Sequence, residues 1–416
     1  MGPGASPADE LGLLLRPAGG GLYLVSSGLE EQERLQRELY RARDRAEIDA
    51  QFQETLASLR DARAVVLGIP SDTGAGFRRG ANQGPLAIRV ELARRGFFER
   101  WRARGLVDVG DVFVVPQLQT DEMLSDAQLA RTRAALYPGR DEPLPVSPLS
   151  IASRALALML GENPRLKVFA IGGDHSTAWP VFDAVRATWP GRLGVVQFDA
   201  HTDLLPSRLG VELCFATWSY HANERLGRDG RLVQVGVRAS RHPREHWEST
   251  LGVRQLWAAE CNADPDAAVS AVLAHLERVG VDAVYLSNDI DGTDAAFADA
   301  TGTPEPGGLS PELVSRMIAE VGARFPLVGG DVMEVAPALS ATTTTVELAT
   351  RYFEQTVEAA LGPHRAPGTR NLEIPRGSDV VPDGLPMRTL ARDDDTFGAC
   401  SGPGDGVRGG ARAKPG

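Results

Sequence analysis

Leu193-Gly194-Val195-Val196-Gln197-Phe198 is an apolar run of strand length, and it ends in Asp199-Ala200-His201-Thr202-Asp203. Two further stretches repeat the pattern. Val168-Phe169-Ala170-Ile171 leads into Gly172-Gly173-Asp174-His175-Ser176, and Ala283-Val284-Tyr285-Leu286-Ser287-Asn288 leads into Asp289-Ile290-Asp291. In an open, mainly parallel sheet the carboxyl ends of the strands lie along one edge, where ligands bind. Knots of acid and histidine far apart in sequence can therefore meet there. The chemistry they would offer is a metal site.

Working outward, the alternation of elements supports such a sheet. Ala64-Val65-Val66-Leu67-Gly68-Ile69-Pro70 reads as a buried strand before a Gly-rich loop, and strand-like runs recur at 106–115, 167–171, 193–198, 231–237, 283–288 and 326–335. Helical stretches at 148–160, 179–188, 264–279 and 310–323 fall between several of them, the last opened by Ser310 as cap and Pro311 in the first turn. This predicts βαβ units and a mainly parallel sheet covered on both faces. Residues 1–28 read as a loose leader, and Leu35, Leu39, Phe52, Leu56 and Leu59 space one or two amphipathic helices over 29–60. The expected layout is a leader and helical extension over 1–60, a catalytic domain over 61–362, and a Gly-rich tail over 363–416, disordered at its end. Residues 117–147 read as a helix-bearing surface insertion.

Composition narrows the function classes. The chain has 416 residues, 43% hydrophobic and 24% charged, as in a globular protein. Its net charge of −11 and lack of a basic stripe argue against nucleic acid and fit a small cationic substrate. Cys214, Cys261 and Cys400 show no CxxC spacing, so neither a disulfide framework nor a structural zinc site is indicated. The N-terminus has no basic region before an apolar core, and no run approaches a membrane span. A cytoplasmic location is expected.

The candidate metal ligands are His175, Asp199, His201, Asp203, Asp289 and Asp291, with Asp174 beside them. Carboxylates at i and i+2 face the same way if the strand continues. A lone Asp or His after a strand is usually a turn former or a cap. Three such ends together, holding two of the seven histidines, are not explained that way. Four carboxylates and two imidazoles gathered in one place require cations. Two divalent ions would balance them, with Mn²⁺ favoured by the oxygen-rich set and Ni²⁺, Co²⁺, Fe²⁺ or Zn²⁺ as alternatives. His242-Pro243-Arg244-Glu245-His246 fits a short metalloprotease pattern, but lies in an Arg- and Pro-containing loop with no third ligand indicated.

These motifs resemble the ureohydrolase (arginase/agmatinase) family, on its agmatinase-like side. The matching residues are Gly172–Ser176, Asp199–Asp203, Ser287–Asp294, Ala296–Ala298 and Thr301–Leu309. Arg79-Gly80-Ala81, Gly84-Pro85, Ile88-Arg89, Asp108–Asp111 and Asp331–Val335 match as well. The resemblance implies a three-layer α/β/α sandwich, two Mn²⁺ ions and hydrolysis of a guanidino C–N bond to urea and an amine. By motif position, His175, Asp199, Asp203 and Asp289 would hold one metal, and Asp199, His201, Asp289 and Asp291 the other. Asp203 would pass a proton to the leaving amine, and Glu334 would anchor the guanidinium. The family is typically a trimer or hexamer, so a homo-oligomer is expected.

Glu212-Leu213-Cys214-Phe215-Ala216-Thr217-Trp218-Ser219-Tyr220-His221 departs from the family: Phe215 stands where relatives commonly carry a histidine. Thr217 and Trp218 become the expected substrate contacts, and His221 a candidate proton shuttle. The aromatic wall suits a small guanidine, with free guanidine, guanidino acids and agmatine all compatible. Two rival readings use the same frame: a formimidoylglutamase-type amidine hydrolase, and a metal-binding relative without catalysis.

Overall fold

The structure is a computed structural model that describes residues 6–22 and 28–362, so the tail over 363–416 lies outside the described residues. Among the described residues nine strands form one sheet: β1 (Leu15–Arg16), β2 (Ala64–Ile69), β3 (Leu106–Val112), β4 (Lys167–Gly172), β5 (Leu193–Phe198), β6 (Leu232–Val237), β7 (Arg254–Trp257), β8 (Ala283–Asp289) and β9 (Leu327–Met333). The strands β2, β5, β6, β8 and β9 are buried at every position, which is why their sequences are continuous apolar runs rather than alternating ones. Helices pack in two connected groups, Gly84–Arg94 with Pro311–Arg324 and Thr344–Leu361 in one, and Pro148–Glu162 with Ala178–Thr188 and Trp218–Leu226 in the other. The result is a three-layer α/β/α sandwich.

Strand order places the knots together. The sheet runs β1-β3-β2-β4-β9-β8-β5-β6-β7, with every pair parallel except β1 with β3. After β4 the chain passes to β5 and leaves two strand positions between them. The later strands β8 and β9 fill these positions. The three knot-bearing strands and β9, which leads into Glu334, therefore lie side by side, with their carboxyl ends along one edge.

The N-terminal stretch differs from the loose leader expected of it. Ser6 caps the helix Pro7–Leu14 in a capping box with Asp9, Leu11 and Leu14 are buried, and β1 adds to the sheet edge by pairing Leu15 with Val112. The two expected helices are Leu29–Tyr40 and Arg45–Ala57, and the insertion carries the helix Asp126–Leu136. Strand β7 has only four residues and ends half-buried, too short a period to read beforehand. Among the described residues no helix is long and apolar enough to cross a membrane.

One buried ion cluster fixes the β2–β3 half. The Arg89 guanidinium donates through Nε to Asp108 Oδ2 at 2.8 Å, through Nη2 to the Gly110 carbonyl at 2.9 Å, and through Nη1 to Asp111. All three side chains are at most 1% exposed. Gly68 is required alongside, because an added Cβ would overlap Asp111 Oδ1 and Arg89 Nη1. Removing the cation leaves two buried carboxylates uncompensated. Arg89→Met is therefore expected to lower unfolding stability by about 3–5 kcal/mol, read as a shifted denaturant midpoint; a shift worth less than about 1 kcal/mol would show that the pair is not stabilising.

Candidate metal centre

Each knot is shaped by the same local bond. Asp174 Oδ1 accepts the Ser176 amide at 2.9 Å, Asp199 Oδ1 the His201 amide at 2.7 Å, and Asp289 Oδ1 the Asp291 amide at 3.0 Å. An Asp bonding the backbone two residues on turns the chain sharply. The strands therefore stop, and the ligands converge by turns rather than by continued pleating. At Asp203 the backbone has φ +50°, so the Asp199–Asp203 series is not extended as the alternation argument required. Glu334, directly after β9, has φ +63°. Non-glycine residues in this left-handed region are uncommon, and here two of them are candidate site residues.

The turns leave the second oxygens of Asp199 and Asp289 pointing inward. His175 Nδ1 lies 2.9 Å from Asp289 Oδ2, 3.2 Å from Asp199 Oδ2 and 3.3 Å from Asp203 Oδ2. Despite these distances it has no aligned hydrogen bond to any of them. A ring nitrogen aimed between three carboxylate oxygens is what a cation site requires. His201 Nδ1 lies 3.0 Å from Asp291 Oδ2 and 3.6 Å from Asp199 Oδ1. Two ligand groups result, His175–Asp199–Asp289 and Asp199–His201–Asp291, sharing Asp199. Asp203 sits against the first of them. The oxygen and imidazole donors fit a pair of divalent ions.

Surrounding residues fix each ligand. His175 Nε2 pairs with Ser287 Oγ at 3.0 Å, and Ser287 Oγ donates to Asp331 Oδ1 at 2.8 Å. Tyr285 donates to the other Asp331 oxygen at 2.6 Å. With Ser287 donating to Asp331, the serine oxygen accepts from His175 Nε2–H, which leaves Nδ1 bare for a metal. Asp291 accepts from Ala200 N–H at 3.1 Å and from Thr303 Oγ1 at 3.1 Å. The Arg238 guanidinium gathers the carbonyls of Asp291, Glu305 and Pro306, tying the β8 turn to the loop that carries Thr303.

Without cations, this charge density shifts the proton affinities of His175, His201, Asp199, Asp203, Asp289 and Glu334. Burial pulls the His175 and His201 imidazoles down, but the carboxylates around them reverse this and hold both well above the usual range. Burial opposes ionisation of Asp199, yet the two imidazoles keep its carboxyl below the usual range. Burial and the Asp199 charge push Asp203 up to about 7. Burial and the neighbouring Asp291 and Asp199 charges raise Asp289, while burial and Asp174 raise Glu334, both well above normal. Such a cluster either retains protons or exchanges them for metal.

Glu334 Oε1 accepts the backbone amide of His175 at 2.9 Å, so β9 delivers this carboxylate beside the first ligand. The other expected substrate residues occupy different places. Thr217 is fully buried, and its hydroxyl accepts from Cys214 N–H at 2.9 Å and donates to the Cys214 carbonyl at 3.1 Å, stapling its own loop. Trp218 is also fully buried, stacked on the His175 ring with centroids 4.8 Å apart, so it braces a ligand from behind. His221 Nε2 pairs with the Glu212 carbonyl at 3.1 Å, and its ring lies against Trp179 and Tyr220. Phe215 fastens two loops together: its amide donates to the Gly74 carbonyl at 3.0 Å and its ring rests on Gly76. Ser287, Tyr285, Thr303, Arg238 and Gln119 were not singled out from sequence, although Ser287 and Thr303 fall inside the matched motifs. Polar residues inside otherwise apolar strands were the available signal.

Known proteins resemble this chain in sequence and fold. An agmatinase from Photorhabdus laumondii subsp. laumondii is 31% identical over 288 residues, 67% of this chain and 80% of its own. A guanidinobutyrase from Pseudomonas aeruginosa is 29% identical over 292 residues, 68% of this chain and 81% of its own. The solved structure of proclavaminate amidino hydrolase from Streptomyces clavuligerus superimposes with a TM-score of 0.58 at 30% identity, covering 72% of this chain and 92% of that one. The sequence pattern that describes the Arginase family matches residues 62–357, which span the sheet from β2 to β9 and every candidate ligand, and the chain belongs to the arginase family.

Proposed function

We propose that this protein is a binuclear-metal hydrolase that cleaves a guanidino C–N bond, giving urea and an amine or ammonia. The observation that carries the reading is the pair of ligand groups sharing Asp199, with Glu334 bonded to the backbone of His175 beside them. The arginase family implies a binuclear divalent centre, and we assign His175, Asp199 and Asp289, with Asp203, to one ion and Asp199, His201, Asp289 and Asp291 to the other. Oxygen donors with two imidazoles favour Mn²⁺, with Ni²⁺, Co²⁺ or Fe²⁺ as alternatives. When bound, the metals supply an activated water and stabilise negative charge on the reacting centre.

The protein's own groups supply the rest. Glu334 receives the planar guanidinium, whose N–H pairs match a carboxylate. Its bond to the His175 amide sets where the reacting carbon stands relative to the ligands. Asp203, 3.3 Å from the His175 ring nitrogen, is placed beside the same centre to take a proton from the activated water and deliver it to the departing amine. His221 has its Nε2 engaged at Glu212, so proton transfer is assigned to Asp203 instead. Substrate classes follow from the relatives, whose names point to agmatine and guanidinobutyrate, and the Phe215 ring, in a loop bonded to Gly74, would favour compact guanidines among them. A cytoplasmic homo-oligomer acting on a cationic small molecule completes the proposal.

Purified protein given Mn²⁺ is expected to bind close to two ions per chain by elemental analysis, and Asp289→Asn or His201→Ala to lose metal and activity together. Metal-free protein recovered from a metal-replete preparation would sink the reading. Ser287→Ala should weaken Mn²⁺ binding about 10-fold to 100-fold with the fold retained, because the His175 ring loses its orienting partner. Urea release should appear with at least one of guanidine, agmatine, guanidinoacetate, guanidinopropionate and guanidinobutyrate. Formamide release from formimidoylglutamate, with no urea from that panel, would favour the amidine-hydrolase rival instead.

A further inference from the structure

A row of polar side chains crosses the apolar sheet beneath the metal centre. Strand register aligns Gln255 of β7 with Gln234 of β6, Gln234 with Gln197 of β5, Gln197 with Ser287 of β8, and Ser287 with Asp331 of β9. The three glutamines and Ser287 are fully buried, and Asp331 is 5% exposed. Ser287 and Asp331 serve His175, as described above. The three glutamines form a continuous chain of their own on the other side.

The chain has one direction. Trp257 Nε1 donates to Gln255 Oε1 at 3.1 Å, and Gln255 Nε2 to Gln234 Oε1 at 2.9 Å. Gln234 Nε2 donates to Gln197 Oε1 at 2.9 Å, and Gln197 Nε2 to Asp199 Oδ2 at 2.6 Å. The ends dictate this polarity, since an indole N–H only donates and a carboxylate only accepts. Amide oxygen and nitrogen cannot be exchanged at any rung without setting two donors or two acceptors against each other. Gln234 Nε2 also donates to the Thr202 carbonyl at 2.6 Å, between the ligands His201 and Asp203. Ser219 Oγ adds a second donor to Gln197 Oε1 at 2.9 Å, from the helix that carries Trp218.

We propose that Gln255, Gln234 and Gln197 are positioning residues: a directed hydrogen-bond ladder across three strands that sets Asp199 and the 201–203 turn for metal binding. Each rung polarises the next, so the ladder presents its final N–H to Asp199 Oδ2, the oxygen that faces His175. The second Gln234 bond holds the turn whose Asp203 sits at φ +50°, a conformation that persists only when its surroundings hold it. Gln197 and Gln234 interrupt fully buried strands and Gln255 is buried in the middle of β7, positions where a packing role alone would be met by Leu or Met.

The proposal rests on the metal reading, and the test separates the two by measuring Mn²⁺ binding itself. Gln255→Met removes a rung at constant shape, whereas Gln255→Glu keeps the shape and reverses the polarity, since a carboxylate cannot donate to Gln234. Chelator competition with Mn²⁺ should give affinities in the order wild type, Gln255→Met, Gln255→Glu, with the last about 10-fold weaker. Thermal midpoints of the two metal-free variants should agree closely. Trp257→Phe changes only the half-buried end of the ladder, and should weaken Mn²⁺ about 3-fold even where a Gln255 variant fails to fold. Wild-type loading with Trp257→Phe and any folded Gln255 variant within 2-fold of it overturns the ladder. A wild type that takes up no Mn²⁺ overturns the metal reading and the ladder with it.

Discussion

The crowding of carboxylate oxygens around His175 Nδ1 is the constraint to which the rest of the molecule answers. Three of them lie within 3.3 Å of one ring nitrogen, almost wholly removed from water. Charges buried like this are tolerable only with compensation at short range. The fold supplies part of it from the protein, through backbone amides at each knot and the Arg238 guanidinium behind the Asp291 turn. The balance is left for cations. A parallel sheet suits the task because its strand ends expose backbone and side chains along one edge, while the apolar body of each strand resists displacement.

That body also explains how the cluster tolerates strain. Asp203 and Glu334 both occupy left-handed backbone conformations, and both are at most 7% exposed. Tyr220 N–H donates to the Asp203 carbonyl at 3.1 Å, and Glu334 N–H to the Gly173 carbonyl at 2.8 Å. Each unusual residue is thus fastened to a neighbouring element by its own backbone. The strain is local and its support is distributed over the sheet.

The fold and the ligand set were legible in the sequence for the same reason. Buried parallel strands are largely apolar, so 193–198 and 283–288 announce themselves, and an acid-and-histidine ending stands out against them. The order of strands was not legible, because which strand fills the gap between β4 and β5 depends on pairings distant in sequence. The N-terminal helix was obscured by the Gly and Pro around it; its Ser6–Asp9 capping box was the overlooked signal. The means of convergence was also misread: pleating aligns i and i+2 only on a strand, whereas here each leading Asp breaks the strand to bond the next amide but one. Thr217 and Trp218 show a further limit. A motif position places a residue near a site, but whether its side chain lines the cavity or supports it is decided by packing, and the Trp218 ring packs behind His175.

The bond from His175 N–H to Glu334 Oε1 ties binding to chemistry. One partner belongs to the residue proposed to ligate metal, and the other to the residue assigned to the guanidinium. Because β4 and β9 are paired through Ile171 and Val332, both residues leave the sheet at one level. The separation between a held substrate and the metal centre is then set by backbone register, with a single hydrogen bond as its last adjustment. Side-chain rotamers have little freedom to alter it, since the His175 ring is clamped between Trp218 and Ser287. Selectivity among guanidino compounds must then arise farther out. There the Phe215 amide joins its loop to Gly74, and Gln119 bridges Ser176 Oγ to the Leu213 carbonyl. A frame this rigid at the reacting carbon leaves the outer loops free to vary in sequence.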